Sequence, residues 1–194
     1  MLIIADIGFV GFPNAGKSSL LNNLTNARAK VAGYPFTTRI PQLGMFRYDD
    51  HDIVLADIPG IIEGASQGAG MGFKFLRHIS RTSGLAFLID LTDENFLTAY
   101  EKLIHELESY APELLDKRQV IIGTKIDLPE AKENLKELKK SKKELQIIGL
   151  SNITGEGLDK VKQAFIYLVG DSEKSFDDQF ESNVDLDAVY REEL

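Results

Sequence analysis

Eight residues near the start of the chain, 11–18 with the sequence GFPNAGKS, constrain its fold more than any other segment. An apolar run over residues 3–10 precedes them and predicts a buried strand, and residues 17–24 predict a helix. A glycine-bearing turn between a strand and a helix can direct successive backbone N–H groups toward a phosphate chain. The motif therefore predicts a phosphate-binding loop, in which Lys17 contacts the β- and γ-phosphates and the Ser18 hydroxyl binds Mg²⁺.

Short apolar runs alternate with helical periods along the rest of the chain. Such runs predict strands buried on both faces of a sheet, and the helical stripes over 96–110 and 158–168 predict helices packed on it. Residues 45–48 and 53–57 predict a hairpin, and the remaining strands are expected at 85–91, 120–124 and 145–150. We therefore expect an α/β fold of the P-loop NTPase class, a three-layer sandwich whose mostly parallel six-stranded sheet has one antiparallel hairpin strand.

Composition excludes several classes of function. The 194 residues contain no cysteine, which excludes a disulfide scaffold, a Cys-ligated zinc site and a cysteine nucleophile. The apolar runs are all well short of the roughly 18 residues that a membrane span needs. The three histidines, His51, His78 and His105, have no metal-binding spacing. We expect a cytoplasmic protein with no membrane partner and no catalytic histidine.

The net charge of −8 is concentrated at one end of the chain. Residues 171–194 carry nine acidic and two basic side chains, together with few large apolar ones. Such a segment buries too little surface to offset its ordering entropy. We therefore expect a domain over residues 1–170 followed by an acidic linker or tail over residues 171–194.

A second motif, TKID at residues 124–127, follows a predicted strand at the sheet edge where a purine would lie. The Asp127 carboxylate can accept hydrogen bonds from the N1–H and the exocyclic amine of guanine, whereas adenine turns a lone pair toward it. The aliphatic stem of Lys125 can lie along the ring face. Two alternatives stay open: Asp127 caps a helix before Pro129, or the chain is an ATPase of the same fold.

A third motif, DIPG at residues 57–60, ends another predicted strand. Asp57 supplies a carboxylate that can hold a magnesium-bound water, and the Gly60 N–H can reach a γ-phosphate. The motif is weak alone, but phosphate, metal and base elements in this order favour a guanine-nucleotide site.

Three longer segments resemble the Obg family of GTPases: GFPNAGKSSLLN at 11–22, YPFTTRIPQLG at 34–44 and ADIPGIIEGASQGAGMGFKFLRHISRT at 56–82. The resemblance implies that residues 36–40 form the first switch, with Thr38 as second magnesium ligand and γ-phosphate sensor. It also implies that the second switch begins at Asp57, and that a backbone N–H of the loop 151–153 meets the guanine carbonyl. Glycines 60, 64, 68, 70 and 72 suit a segment that orders around the γ-phosphate and loosens after its loss.

The motifs and the resemblance together give the expected site. The expected catalytic residues are Asn14, Lys17, Thr38 and Gly60, and the expected magnesium ligands are Ser18, Thr38 and Asp57. The expected nucleotide-binding residues are Gly11, Phe12, Pro13, Asn14, Ala15, Gly16, Lys17, Ser18, Ser19, Phe36, Thr37, Thr38, Arg39, Ile40, Asp57, Ile58, Pro59, Gly60, Thr124, Lys125, Ile126, Asp127, Ser151, Asn152 and Ile153.

The chain departs from common GTPase patterns at several positions. Ile61 stands where many GTPases have a water-orienting Gln, so we expect slow hydrolysis. One hypothesis is that Asn14 helps hold a potassium ion beside the phosphates, as in similar GTPases; the alternative is that Asn14 only shapes the turn. Thr124 replaces the usual Asn and lacks its bridging amide, which predicts weaker affinity and faster exchange. Arg39 replaces an aliphatic residue, with no predictable effect.

The resemblance implies a slow, magnesium-dependent GTPase that acts as a monomeric nucleotide switch on the large ribosomal subunit, in assembly and in stress signalling through guanosine tetraphosphate. The alternative is a nucleotide-dependent binding module or scaffold with negligible hydrolysis. Family members usually have a glycine-rich domain before this one, which we expect to be missing here because the first predicted strand begins close to Met1. The lysine-rich stretch 132–143 is interpreted as a solvated helix face, with RNA contact as the alternative.

Overall fold

The computed structural model describes residues 5–25, 30–31, 42–48, 50–57 and 82–170. These residues form one seven-stranded sheet with the strand order β2-β3-β4-β1-β5-β6-β7. The strands are β1 (Ile7–Gly11), β2 (Lys30–Val31), β3 (Gln42–Tyr48), β4 (His51–Asp57), β5 (Gly84–Asp90), β6 (Arg118–Thr124) and β7 (Ile147–Leu150). The described helices are α1 (Lys17–Thr25), α2 (Phe96–Tyr110), α3 (Pro129–Ser141) and α4 (Leu158–Val169), with a 3₁₀ turn at Pro112–Leu114.

The predicted fold class is confirmed. Strands β4, β1, β5, β6 and β7 run parallel, and β3 pairs antiparallel with β4 as the expected hairpin strand. The two-residue β2, which was not predicted, pairs antiparallel with β3 at the sheet edge. Six longer strands therefore match the expectation, and β2 adds a seventh.

Helices cover both faces of the sheet and bury two separate apolar clusters. On one face, α2 and α3 pack against the side chains of Leu85, Phe87 and Ile121. On the other face, α1 and α4 pack against Ala86, Leu88 and their neighbours. Successive residues of β5 thus point to opposite layers, which explains why this strand is a continuous apolar run in the sequence. Of the described helices, none combines the length and apolar character that crossing a bilayer requires.

All six predicted strands differ from the structure at their ends: β3, β4 and β6 begin earlier than expected, and in β1, β5 and β7 part of the apolar run lies outside the strand. β1 begins at Ile7, because Asp6 lies in a bend where its carboxylate accepts the Val54 N–H at 2.8 Å. β5 ends at Asp90, whose carboxylate accepts the Thr92 N–H at 2.9 Å and starts a turn that removes Leu91 from the strand. β7 is shorter than expected because the chain is still in a turn at Leu145. In β1, β5 and β7 a local polar bond or turn thus overrides the apolar pattern.

Candidate functional site

The parallel strands bring their carboxyl ends to one edge of the sheet. Pairing aligns Phe9 of β1 with Asp57 of β4, and Asp90 of β5 with Thr124 of β6. The segments that follow β1, β6 and β7 therefore all begin at this edge, with the end of β5 between those of β1 and β6. Ligands of open α/β sheets bind beyond such carboxyl ends. The structure thus brings together the loop 11–18, Asp57, the segment 124–127 and the loop 151–153.

The loop between β1 and α1 has the backbone that anion binding requires. Asn14 and Gly16 both have positive φ angles, 64° and 93° respectively, so the loop curls tightly before α1 begins at Lys17. The Lys17 ammonium group donates to the backbone carbonyls of Gly11 at 2.7 Å and Phe12 at 3.1 Å. It is therefore held over the loop, where a phosphate group could replace these carbonyls as its partner. Pro13 and Ser19 are exposed, and Ala15 is buried.

Ser18 and Asp57 form the part of the site that suits a divalent cation. The Ser18 hydroxyl donates to Oδ2 of Asp57 at 2.8 Å. The other carboxylate oxygen, Oδ1, is buried and has no hydrogen-bond partner among the described residues. An unpaired buried carboxylate oxygen is costly, and a cation beside it would remove that cost. A hydroxyl and a carboxylate are also ligands that Mg²⁺ prefers, so these residues fit the expected ion.

Burial changes the ionisation of both charged groups at this end. Burial raises the pKa of Asp57, although the hydrogen bond from Ser18 and the charge of Lys17 oppose the shift. Burial likewise lowers the pKa of Lys17, and the Asp57 charge opposes it. Both groups are thus partly desolvated and stabilise each other's charge. The described ranges contain no cluster of three or more His, Cys, Asp or Glu side chains suited to a metal.

The base-reading candidate Asp127 is held by the loop after β7. Its Oδ1 accepts the Ser151 hydroxyl proton at 2.6 Å. The Ser151 oxygen in turn accepts the N–H groups of Ile153 at 3.2 Å and Thr154 at 3.1 Å. Helix α3 begins at Pro129 with no side-chain cap, so Asp127 does not serve as its cap. This geometry removes the capping alternative, and among the described residues no donor bonds to Oδ2 of Asp127. Ile126 is buried beside it.

Sequence reasoning missed Asp90, which holds the other side of the base-reading segment. Lys125 has a positive φ of 66°, and its ammonium group donates to Oδ2 of Asp90 at 2.5 Å. Oδ1 of Asp90 accepts the N–H and the hydroxyl of Thr92 at 2.9 and 2.7 Å. Burial would raise the pKa of Asp90, but the bonds from Lys125 and Thr92 lower it further than burial raises it. The sequence did contain a signal for Asp90, because this Asp lies at the carboxyl end of a predicted strand. In the sheet that strand is β5, between β1 and β6.

Several predicted site residues lie outside the residues that the structure describes. These are Phe36, Thr37, Thr38, Arg39, Ile40, Ile58, Pro59 and Gly60, together with Ile61, His78 and the acidic segment 171–194. The two described histidines, His51 and His105, lie at the start of β4 and on α2, away from this edge of the sheet.

The lysine-rich stretch forms most of helix α3 and the turn after it. Lys132 pairs with Glu156 at 3.3 Å, Lys136 pairs with Glu133 at 2.8 Å, and Lys142 pairs with Glu101. These pairs agree with a solvated helix face that is neutralised in part by neighbouring carboxylates.

Comparison with known proteins agrees with this geometry. A family model described as 50S ribosome-binding GTPase matches residues 6–125. The G domain of the T. maritima FeoB iron transporter superposes with a TM-score of 0.65 at 24% identity, covering 87% of this chain and 100% of that chain. An Era variant from Aquifex aeolicus, bound to GDP and AlF₄⁻, superposes with a TM-score of 0.64 at 25% identity, over 89% of this chain and 59% of that chain.

Curated relatives are more similar in sequence. GTPase Obg of Treponema denticola is 58% identical over 174 residues, which are 89% of this chain and 46% of that protein. GTPase Obg of Borreliella afzelii is 49% identical over 168 residues, 87% of this chain and 51% of that protein. The chain thus spans about half the length of the curated relatives it matches. The matched motifs and the shared G-domain fold show that the chain belongs to the family of 50S ribosome-binding GTPases, within which it is similar to GTPase Obg.

Proposed function

We propose that this chain binds guanine nucleotides with Mg²⁺ and hydrolyses GTP slowly to GDP and phosphate. The observation that supports the proposal is that residues suited to a phosphate chain and residues suited to a guanine lie at the same edge of the sheet. Lys17, Ser18 and Asp57 suit a magnesium-bound phosphate chain, and Asp127 with Ser151 suits a guanine. Asn152 spans the two parts, because its Nδ2 lies 3.2 Å from the Gly16 carbonyl oxygen. One ligand with a purine at one end and phosphates at the other fits this arrangement.

Each residue has a defined task in this proposal. The backbone N–H groups of residues 14–18 and the Lys17 ammonium group bind the phosphates and stabilise the charge that develops on them during transfer. Mg²⁺, held by Ser18 and near Asp57, with Thr38 as the further ligand that the family resemblance implies, would neutralise charge on the phosphate oxygens. Asp127 accepts the guanine N1–H and amine protons, and Lys125 covers the ring face. Gly60 is assigned the γ-phosphate contact, and Ile61, the next residue in the sequence, supplies no group that could orient water, so we expect slow turnover.

Calorimetry with this chain tests the proposal directly. We expect binding heat with GTP and GDP in the presence of Mg²⁺, and at least about a hundredfold weaker binding of ATP because Asp127 rejects adenine. Absence of magnesium-supported binding to GTP, or equal binding of ATP, would overturn the assignment. Release of phosphate under single-turnover conditions then separates slow hydrolysis from a binding module without hydrolysis.

We also propose that Asn14 supports hydrolysis by holding a potassium ion beside the phosphates. Asn14 is exposed at the site and its φ is positive, which asparagine tolerates better than most residues. A turn-shaping role would need only that backbone conformation. Asn14→Gly keeps access to it and removes the amide, so it is the matched control. We expect faster hydrolysis in K⁺ than in Na⁺ for the unmodified chain and equal rates for Asn14→Gly. Equal rates in the unmodified chain would reject the potassium role.

The family description supports a further proposal about the partner. We propose that the chain acts in the cytoplasm as a monomeric switch whose GTP state docks on the large ribosomal subunit, in assembly and in stress signalling. Residues 1–170 would form the nucleotide-binding unit, and the acidic segment 171–194 would connect it to further chain. Co-sedimentation with large subunits, in GDP and in a non-hydrolysable GTP analogue, tests the docking. Docking that is equal in both nucleotides would indicate a scaffold, and so would docking that Lys17→Ala leaves unchanged.

A further inference from the structure

The usual base-reading motif begins with an amide residue, and this chain has Thr124 there. The Thr124 hydroxyl donates to the Ile89 carbonyl at 3.2 Å, so it is already bonded within the sheet. The group that Thr124 turns toward the phosphate loop is its methyl: a Cβ placed on Gly16 would lie 3.7 Å from Thr124 Cγ2. Thr124 therefore offers the phosphate loop no hydrogen-bond donor.

A different side chain makes that bond. Nδ2 of Asn152, in the loop after β7, donates to the Gly16 carbonyl at 3.2 Å, across 136 residues of sequence. The same carbonyl accepts the Leu20 N–H at 2.9 Å as the first bond of helix α1. Asn152 thus holds the residue that directly precedes Lys17.

The orientation of the Asn152 amide is fixed by Asn23 on helix α1. Nδ2 of Asn23 donates to the Asn152 backbone oxygen at 2.9 Å and to Asn152 Oδ1 at 3.2 Å. A backbone oxygen only accepts hydrogen bonds, so the Asn23 amide must present its nitrogen to Asn152. Oδ1 of Asn152 is then the acceptor, and Nδ2 is the group that remains for Gly16. The backbone carbonyl of Asn152 therefore determines the orientation of the Asn23 amide, and the backbone carbonyl of Gly16 accepts the Asn152 amide in a matching orientation.

We propose that the Asn152 side chain is a positioning residue that couples guanine recognition to the phosphate loop, in place of the amide that Thr124 lacks. This inference rests on the proposed nucleotide binding and goes beyond the backbone contact with guanine that the family resemblance implies for this loop. Ser151 orients the base-reading carboxylate of Asp127, and its neighbour Asn152 fixes Gly16 beside Lys17. A single loop thereby sets the distance between the base and phosphate subsites.

The geometry of Gly16 agrees with this coupling. Its φ of 93° disfavours residues with a side chain, and a Cβ there would lie 2.9 Å from Nδ2 of Asn152. The loop therefore closes against Asn152 because no side chain separates them.

Release of a fluorescent GDP analogue tests the proposal. Asn152→Ala removes one hydrogen bond across the site, so we expect about fivefold faster release. Asn23→Ala leaves Asn152 in place but unoriented, and we expect about twofold faster release because its bonds are exposed to water. Gln119→Ala is the matched control, because Gln119 also donates an amide proton to a backbone carbonyl, that of Leu115, at the opposite end of β6. Release from this control should equal that from the unmodified chain.

Rescue distinguishes positioning from general loosening of the loop. Thr124→Asn in the Asn152→Ala background restores an amide beside Gly16, and we expect release within about twofold of the unmodified chain. Unchanged release in Asn152→Ala, or a double variant as fast as Asn152→Ala, would overturn the coupling role. If Asn152→Ala does not fold, Asn23→Ala and its double variant with Thr124→Asn decide the question by the same comparison. An unmodified chain that binds no GDP would instead overturn the proposed function itself.

Discussion

The two ends of the candidate site are held in different ways. At the base end, Asp127 is bonded to Ser151, whose oxygen accepts two backbone N–H groups, and no donor in the described part of the chain bonds to the other carboxylate oxygen of Asp127. At the phosphate end, Lys17 is bonded to carbonyls of its own loop, and Ser18 is bonded to Asp57. A nucleotide can dock on the base end without breaking these bonds, whereas it must replace bonds at the phosphate end.

This difference predicts different roles for the base end and the phosphate end of the candidate site. A preassembled subsite contributes affinity because little ordering is needed when the ligand binds. A subsite whose charged groups must exchange partners changes its local structure according to what binds. We therefore expect purine selectivity to depend on the base end alone, and responses to Mg²⁺ and to the γ-phosphate to originate at the phosphate end.

The largest effect is expected from the change Asp127→Asn. The amide keeps one acceptor oxygen but replaces the other with an NH₂ group, which would face the guanine amine instead of accepting from it, so GTP affinity should fall by about a thousandfold. Xanthosine triphosphate carries a carbonyl in place of the amine and should bind the variant better than GTP does. Titration of the variant with GTP and with xanthosine triphosphate measures whether its preference has changed from the first nucleotide to the second. Retained GTP affinity would show that Asp127 does not read the base.

Lys17→Ala should have the next largest effect, and it should act on the phosphates. We expect about a hundredfold slower hydrolysis, since one positioned cation at the transferred phosphate is lost. The guanine-over-adenine preference should remain, because Asp127 and Ser151 are untouched. A loss of this preference in Lys17→Ala would contradict the division of work between the two ends.

Asp57→Asn should separate stability from function. The variant replaces a buried carboxylate, one of whose oxygens has no partner in the described structure, with a neutral amide that can still accept the Ser18 bond. We expect the chain without nucleotide to gain about 1 kcal/mol, measured by thermal unfolding. Magnesium-dependent GTP binding should fall about tenfold, because a carboxylate is lost from the proposed ion site. If the variant were less stable than the unmodified chain, neighbouring groups would already stabilise the Asp57 charge in the unmodified chain.

Asp90→Asn should have a moderate effect at the base end. The change weakens the bond that holds Lys125, and we expect about fivefold weaker GDP binding. The Asp90 carboxyl has a pKa below its ordinary 3.8, so the ionised form stabilises the fold above that value, and this contribution is lost as pH falls through the lower folded value. The Asp90 contribution to GDP affinity should therefore be constant between about pH 5 and 8. A titration of Asp90 in that range, seen as a pH-dependent difference between the two proteins, would contradict this assignment.

The smallest effect is expected from Thr124→Asn in the otherwise unmodified chain. An added amide would join the bond that Asn152 already makes to Gly16, so GDP release should slow by only about twofold. Fluorescence measurements of release resolve such a difference. Equal release rates would show that position 124 does not limit exchange.

The sequence predicted the fold well, because strands buried on both faces are continuous apolar runs and the phosphate loop has a specific spacing. It also predicted that Ser18, Asp57 and Asp127 would meet at one edge, since parallel strands share their carboxyl ends. Asp90 and the Asn152 side chain were not predicted in their roles. Their bonds to Lys125 and Gly16 depend on which strands are neighbours and on backbone angles, and no local periodicity reports those.

The register of the β3–β4 hairpin places the two ends of the hairpin next to each other at the candidate site. Gln42, the first residue of β3, is paired with Asp57, the last residue of β4. The chain therefore enters β3 and leaves β4 at one pair of residues. One residue of this pair, Asp57, carries the proposed ion-binding carboxylate. The two segments that the sequence predicts to be switches, residues 36–40 and the stretch from Asp57 onward, therefore adjoin one pair of residues in the sheet.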